Sequence, residues 1–222
     1  MKKRLVTLVA GLVFAAPMSL QASGLSIYVP YTFEHSVDGT AHKDSYYSGG
    51  TSYPASDYNS NYKLKSKVGD IGLAFSTNIG KDKLFGYTLA LELKSPEPVV
   101  GSGSLTRYDM LHTFEFAVVR TELIHLWVGP RLNLATISYN SDDYTRNGIE
   151  VGAAAALGLN VNFGEYFAIT SSLDYKMGWQ VGTTENKVLN TSYSGTYNDV
   201  HTGATFRLGV AYKFGEEFEP SY

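Results

Sequence analysis

Residues 202–214 read T-G-A-T-F-R-L-G-V-A-Y-K-F, and their alternation decides the fold. Thr202, Ala204, Phe206, Leu208, Val210, Tyr212 and Phe214 share one side of an extended chain. Gly203, Thr205, Arg207, Gly209, Ala211 and Lys213 share the other. Strand side chains point alternately to opposite faces, so one face here is apolar and the other small or charged. A soluble sandwich would turn the charged face to water. A membrane barrel would turn the apolar face to lipid and fill its lumen with the other.

Working outward, the 222 residues suit a single all-β barrel or sandwich. Lys2, Lys3 and Arg4, the apolar run Leu5 to Met18, and Ser19-Leu20-Gln21-Ala22 predict a secretory signal peptide over residues 1–22. The apolar run is too short for a spanning helix. Its removal takes three cations and no acids, leaving 15 Lys and Arg against 21 Asp and Glu, near −6. That mild acidity argues against a nucleic-acid partner. With no cysteine, an exported domain must rely on backbone pairing and packing. The mean hydropathy would pass for a soluble protein, as it does in a barrel whose lipid-facing and lumen-facing residues cancel.

The same period of two recurs along the chain. Strands are predicted at Leu25–His35, Tyr62–Thr77, Phe85–Lys94, Tyr108–Val118, His125–Tyr139, Ile149–Phe163, Phe167–Val181 and Thr202–Phe214. Pro130 sits on the apolar phase of the fifth and predicts a weak or bulged ladder there. Polar, Gly-, Ser- and Tyr-rich stretches predict long loops at Ser36–Asn61, Ser95–Arg107, Asn140–Gly148 and Gly182–His201. Short connections are predicted at Asn78–Lys83, Arg120–Leu123 and Gly164-Glu165. Strands of about 11 to 15 residues are long enough to cross a tilted bilayer path. Alternating long and short connections suit antiparallel neighbours in a closed barrel, with the long ones outside the cell.

Two features favour lipid over water. Phe75, Phe85, Tyr87, Phe116, Phe163, Phe167, Tyr212 and Phe214 lie on the apolar phase near the short-turn ends. Tyr31, Phe33, Tyr108, Tyr175 and Trp179 lie near the long-loop ends. Two aromatic girdles at the headgroup levels are therefore expected. The opposite phase carries acids Asp70, Glu92, Asp109, Glu115, Glu150 and Asp174, and bases Lys94, Arg131, Lys176, Arg207 and Lys213. Unpaired burial of such groups in a sandwich core is costly. In an eight-stranded lumen, just wide enough to be filled by side chains, they can pair across the interior.

With G-P-R-L-N-L (129–134) and F-R-L-G-V-A-Y-K-F (206–214) set in this pattern, the chain resembles the small outer-membrane β-barrel proteins of Gram-negative bacteria, of the OmpA/OmpX kind. The resemblance spans essentially the whole mature chain and is one of architecture, with no discriminating motif. It implies an all-β, eight-stranded antiparallel up-and-down barrel over residues 23–214, integral to the outer membrane. It also implies a short acidic periplasmic tail at 215–222, contact with outer-membrane lipid and lipopolysaccharide, and insertion by the barrel assembly machinery, for which the last strand is a recognition signal. Here G-E-E-F-E-P-S-Y continues past Phe214, so that signal is either internal or completed by Tyr222.

Three functional readings follow. Some barrels of this architecture modify lipid A, which needs a serine activated by a histidine. His35-Ser36 and His201 lie at the long-loop end, and neighbouring first and last strands could bring the two histidines together. No spacing singles out a nucleophile. A narrow channel is the second reading, opposed by charges that should plug the lumen. The third places recognition of an extracellular ligand in 36–61, where Tyr46, Tyr47, Tyr53, Tyr58 and Tyr62 stand among Ser, Gly, Asn and Asp. Lys63, Lys65 and Lys67 could meet lipopolysaccharide phosphates, with a bulge near Gly69 setting which phase faces out. No cofactor or metal is expected; Asp142-Asp143 alone is a weak cation site. The expected role is a non-enzymatic envelope protein with surface recognition loops.

Overall fold

The computed structural model describes residues 23–33, 35–65, 70–77, 84–98, 103–188 and 191–214. The signal peptide at 1–22, the tail at 215–222, the whole 78–83 connection, Lys67, Gly69 and the side chain of Lys65 lie outside the described residues. In chain order the strands are β1 (Ser23–Thr32), β2 (His35–Lys43), β3 (Tyr46–Ser48), β4 (Thr51–Tyr53), β5 (Ser56–Asn59), β6 (Tyr62–Lys65) and β7 (Ile71–Thr77). They continue as β8 (Phe85–Lys94), β9 (Glu97–Pro98), β10 (Ser104–Arg120), β11 (Ile124–Asn140), β12 (Tyr144–Phe163), β13 (Phe167–Val188) and β14 (Thr191–Phe214).

A ring closes through β1, β7, β8, β10, β11, β12, β13 and β14, with β14 returning to pair antiparallel with β1. Closure gives every wall strand two partners, the condition for a sheet to sit in hydrocarbon. The wall is inside-out relative to a soluble protein. Leu208, Phe167 and Trp179 are 51, 57 and 56 % exposed on the outer face. Among the described residues, polar and charged side chains outnumber apolar ones in the buried interior. A water-soluble sandwich cannot carry that distribution. All thirteen aromatics predicted for the girdles are on the outer phase, with Phe75 and Tyr87 half-buried by neighbouring side chains. At the short-turn rim Tyr166, in the Gly164–Tyr166 turn, joins them by stacking on Tyr212 with ring centroids 6.2 Å apart.

The four predicted long loops need correction, because most of their length is strand. The second half of the first wall strand is β2, which pairs with β14 from Ser36↔Thr202 to Lys43↔Gly195. β5 and β6 pair in turn with β2, and β3 with β4 forms a small hairpin. Within 95–107, Ser104–Arg107 already belongs to β10 and Glu97–Pro98 pairs with β6. Of 140–148, Ser141–Asp143 alone is a turn. Of 182–201, β13 and β14 pair from Val188↔Thr191 onward, so the expected loop is a hairpin ladder. At about 3.3 Å per residue, the 24 residues of β14 run about 80 Å, well beyond the ~30 Å hydrocarbon core. The excess forms a polar crown at the end predicted to carry the long loops. Outside lipid the outward face need not be apolar, so the ladder continues where the hydrophobic alternation stops.

Three irregularities shape the described wall, one of them a register shift between Ala117 and Val119 in the β10–β11 ladder. From Thr32↔Thr205 to Ser36↔Thr202 the first strand spends four residues against three on β14. This one-residue bulge flips the phase, so even-numbered residues face inward in β1 and His35, Val37 and Ala41 face inward in β2. In the β10–β11 ladder, pairing passes from Thr113↔Arg131 to Phe116↔Val128 with no paired residues between, around Pro130, which has no N–H to give. Leu64 and Asp70 both face inward, while Lys63 and Ile71 are exposed; the bulge expected near Gly69 lies outside the described residues.

Candidate functional site

Every lumen residue predicted from the alternation is buried inside: Asp70, Glu92, Lys94, Asp109, Glu115, Arg131, Glu150, Asp174, Lys176, Arg207 and Lys213. All but Asp70, Glu115 and Lys213 belong to two ionic layers. In the lower, Arg207 bridges Glu92 and Asp174, Arg131 also binds Asp174, and Arg131 Nε donates to Thr113 Oγ1 at 2.7 Å. Tyr28 donates to Glu92 Oε1 at 3.0 Å, and Lys94 Nζ sits 2.5 Å from Glu92 Oε2, joining this layer to the next.

The upper layer is centred on Glu150. Arg107 grips its carboxylate with both terminal nitrogens, at 2.7 and 2.6 Å, and turns its Nε to Asp109. Lys176 Nζ and Gln180 Nε2 each donate at 2.7 Å, and Asn133 links Glu150 to Asp109. Gly178, paired near this level, leaves the space: a Cβ there would lie 2.6 Å from Glu150 Oε1. Side chains from β10, β11 and β13 thus converge on one carboxylate of β12. Charge-assisted bonds of this kind are roughly twice as strong as neutral ones, and the low-dielectric interior makes their loss expensive.

Beyond Glu150 lies the histidine pair. His201 Nδ1 is 2.8 Å from Glu150 Oε2, its Nε2 is 2.6 Å from His35 Nδ1, and His35 Nε2 is 3.2 Å from the Ala204 carbonyl. The bulge brings His35 inward, and Gly203 admits it, since a Cβ there would lie 1.8 Å from the His35 ring. The two histidines therefore meet as neighbouring first and last strands allow. All four ring nitrogens are engaged by groups other than a hydroxyl.

The remaining predicted charges sit apart from both layers. Glu115 accepts from Thr88 at 2.6 Å, Asp70 from the Ser95 amide at 2.7 Å, and Lys213 donates to Asn162 and the Gly164 carbonyl. Below the lower layer the lumen holds a cavity of about 60 Å³, room for only a few waters. Above the histidines, Val37, Leu64, Leu105 and Ile137 form an apolar plug flanked by Tyr62 and Tyr139.

The crown carries a third polar cluster that the sequence reading missed. Arg146 pairs with Asp199, donates to Ser60 Oγ at 3.1 Å, and lies over the Tyr197 ring at 3.4 Å. Arg107, Arg146 and Asp199 fell in stretches read as loops. A signal was nonetheless available: Arg146 continues the even phase of Glu150 and Gly148, and Asp199 the odd phase of His201. Higher still, Tyr46 stacks between Tyr53 and Tyr193, with Lys43 over two of these rings.

No protein-family model matches the chain, and no curated protein sequence matches it. Among solved structures it is similar to the outer-membrane protein OprG from Pseudomonas aeruginosa, at 13 % identity and a TM-score of 0.51 over 88 % of this chain and 98 % of that one. Ail, the attachment invasion locus protein of Yersinia pestis, matches at 15 % identity and a TM-score of 0.41, covering 87 % of this chain and 99 % of that one. Neisserial surface protein A matches at 12 % and 0.39, covering 84 % and 97 %. At 13 % identity the likeness to OprG speaks to fold alone, and it agrees with the closed ring. The chain is an eight-stranded transmembrane β-barrel of the outer-membrane kind, set in lipid by its exterior and closed inside by its own charges.

Proposed function

We propose that the protein is a non-enzymatic envelope protein whose barrel serves as a rigid mount for an extracellular recognition crown. The observation that carries this reading is the contrast between a lumen stacked with paired charges and strands that project far beyond the membrane as a polar, tyrosine-rich surface. Function in such scaffolds concentrates in segments held out by rigid elements. Tyrosine with Ser, Gly and Asn supplies rigid contact area in an adaptable frame.

The histidine pair supports the non-enzymatic part. A serine-type mechanism needs a hydroxyl within hydrogen-bond reach of a free imidazole nitrogen. His35 and His201 instead spend their nitrogens on each other, on Glu150 and on a carbonyl. Lipid A from cells with and without the gene should give the same mass spectrum, and a changed acyl pattern would refute this. The ionic layers and the apolar plug also oppose a channel. Purified protein in planar bilayers is expected to show at most brief, small conductance events; large, stable openings would overturn the sealed lumen.

A further inference from the structure

Between the apolar plug and the crown rim lies a cavity of about 240 Å³. Its floor is Leu64 and Leu105, and its aromatic walls are Tyr62, Tyr139 and Tyr144, with Tyr139 and Tyr144 5.8 Å apart between ring centroids. Asn59, Ser60, Asn61 and Arg146 supply its polar edge. Pockets for drug-sized ligands run about 300–1,000 Å³, so this one suits a single substituted ring.

The lining selects the chemistry of that ring. Leucines and phenol faces call for an apolar ring face, whereas two carboxamides offer donors and acceptors side by side. Hydroxyl groups, which donate and accept from one atom, match such an edge. Charge is already balanced, because Arg146 is committed to Asp199. A charged ligand would lose its hydration without meeting an unspent counter-charge. Burial pushes the Tyr144 phenol up to about 12, so it stays a neutral donor at physiological pH. Arg146 Nε, on a buried side chain lining the cavity, has no hydrogen-bond partner among the described residues. An N–H left in that state costs free energy until an acceptor oxygen reaches it.

Resting on the recognition reading above, we propose that this cavity binds the pyranose ring of a neutral saccharide. The ring face lies on the tyrosines and the leucine floor, and the hydroxyls meet Asn59, Asn61 and Arg146. The same chemistry could come from the glycan of lipopolysaccharide on the cell's own surface or from a saccharide outside it.

Saturation-transfer NMR on the full chain, folded in a zwitterionic detergent free of sugar headgroups, tests this. One arm uses methyl glycosides of glucose, galactose, mannose and N-acetylglucosamine; the other uses lipid-free core oligosaccharide from lipopolysaccharide. Transfer to ring protons is expected in at least one arm, and the responding arm identifies the source. Tyr144→Ala and Asn61→Ala, each shown to be folded by its heat-shifted gel band, are expected to weaken binding by about tenfold or more. Tyr47→Ala, 68 % exposed on the β3–β4 hairpin, should leave it unchanged. No transfer in either arm, or binding indifferent to both cavity variants, overturns the proposal. Binding lost in Tyr47→Ala but kept in Tyr144→Ala would also overturn it while leaving crown recognition intact. The broader reading fails separately, through conductance or altered lipid A.

Discussion

Replacing Glu150 with Ala is expected to lower the unfolding free energy by about 3–5 kcal/mol, because it strands buried partner charges. Arg107 and Lys176 would face each other and the imidazole of His201, with Asp109 as the counter-charge that remains on Arg107. Glu150→Gln, which keeps an acceptor oxygen but not the charge, should cost less. Urea titration in micelles, followed by tryptophan fluorescence and by the temperature at which the folded gel band disappears, would measure both. Wild-type stability in Glu150→Ala would mean that water already screens this layer and that the lumen is not sealed.

The second large effect lies on the opposite face of the same wall. Leu173 is outward on β13, midway between Phe167 and Trp179, and pairs with Leu157. Leu173→Arg is expected to cost about 2–4 kcal/mol, the penalty for arginine near the bilayer midplane. Tyr47→Arg, on the exposed hairpin of the crown, should be nearly neutral. The pair separates a lipid-facing wall from a water-facing one: equal tolerance at both sites, in unfolding titrations from lipid vesicles, would argue that the apolar belt does not meet lipid.

The alternation was legible wherever lipid enforces it. From Phe167 to Trp179 the outward residues are apolar except Ser171, whose hydroxyl bonds to the Leu159 carbonyl, and the inward ones carry the charges, so the period of two is sharp and the lumen charges follow from phase. Past Val181 water replaces lipid. Thr183 and Thr184 pair with Thr196 and Gly195 in a ladder as regular as the one below, yet their polarity reads as a loop. Their β-branched and aromatic neighbours were the remaining signal for strand. The inward turn of His35 was hidden for a different reason. It depends on a single extra residue between Thr32 and Ser36, and a bulge of that size leaves no compositional trace. The crown cavity was illegible as a unit because it draws Asn61, Leu105 and Tyr144 from three separate strand ends, which register alone brings together.

The chain has no cysteine, so single cysteines carrying spin labels can be placed along β13 without interference. Collision with oxygen, which concentrates in lipid, and with a polar nickel chelate, which stays in water, would then be read at successive positions from Phe167 to Val188. The account predicts oxygen-dominated access at 167, 169, 173, 175, 177 and 179 and shielding from both reagents at 174, 176 and 180. Beyond 181 it predicts chelate access on the outward phase with the two-residue alternation intact. Chelate access on both phases between 167 and 180, as in a water-filled pore or a soluble sheet, would contradict it.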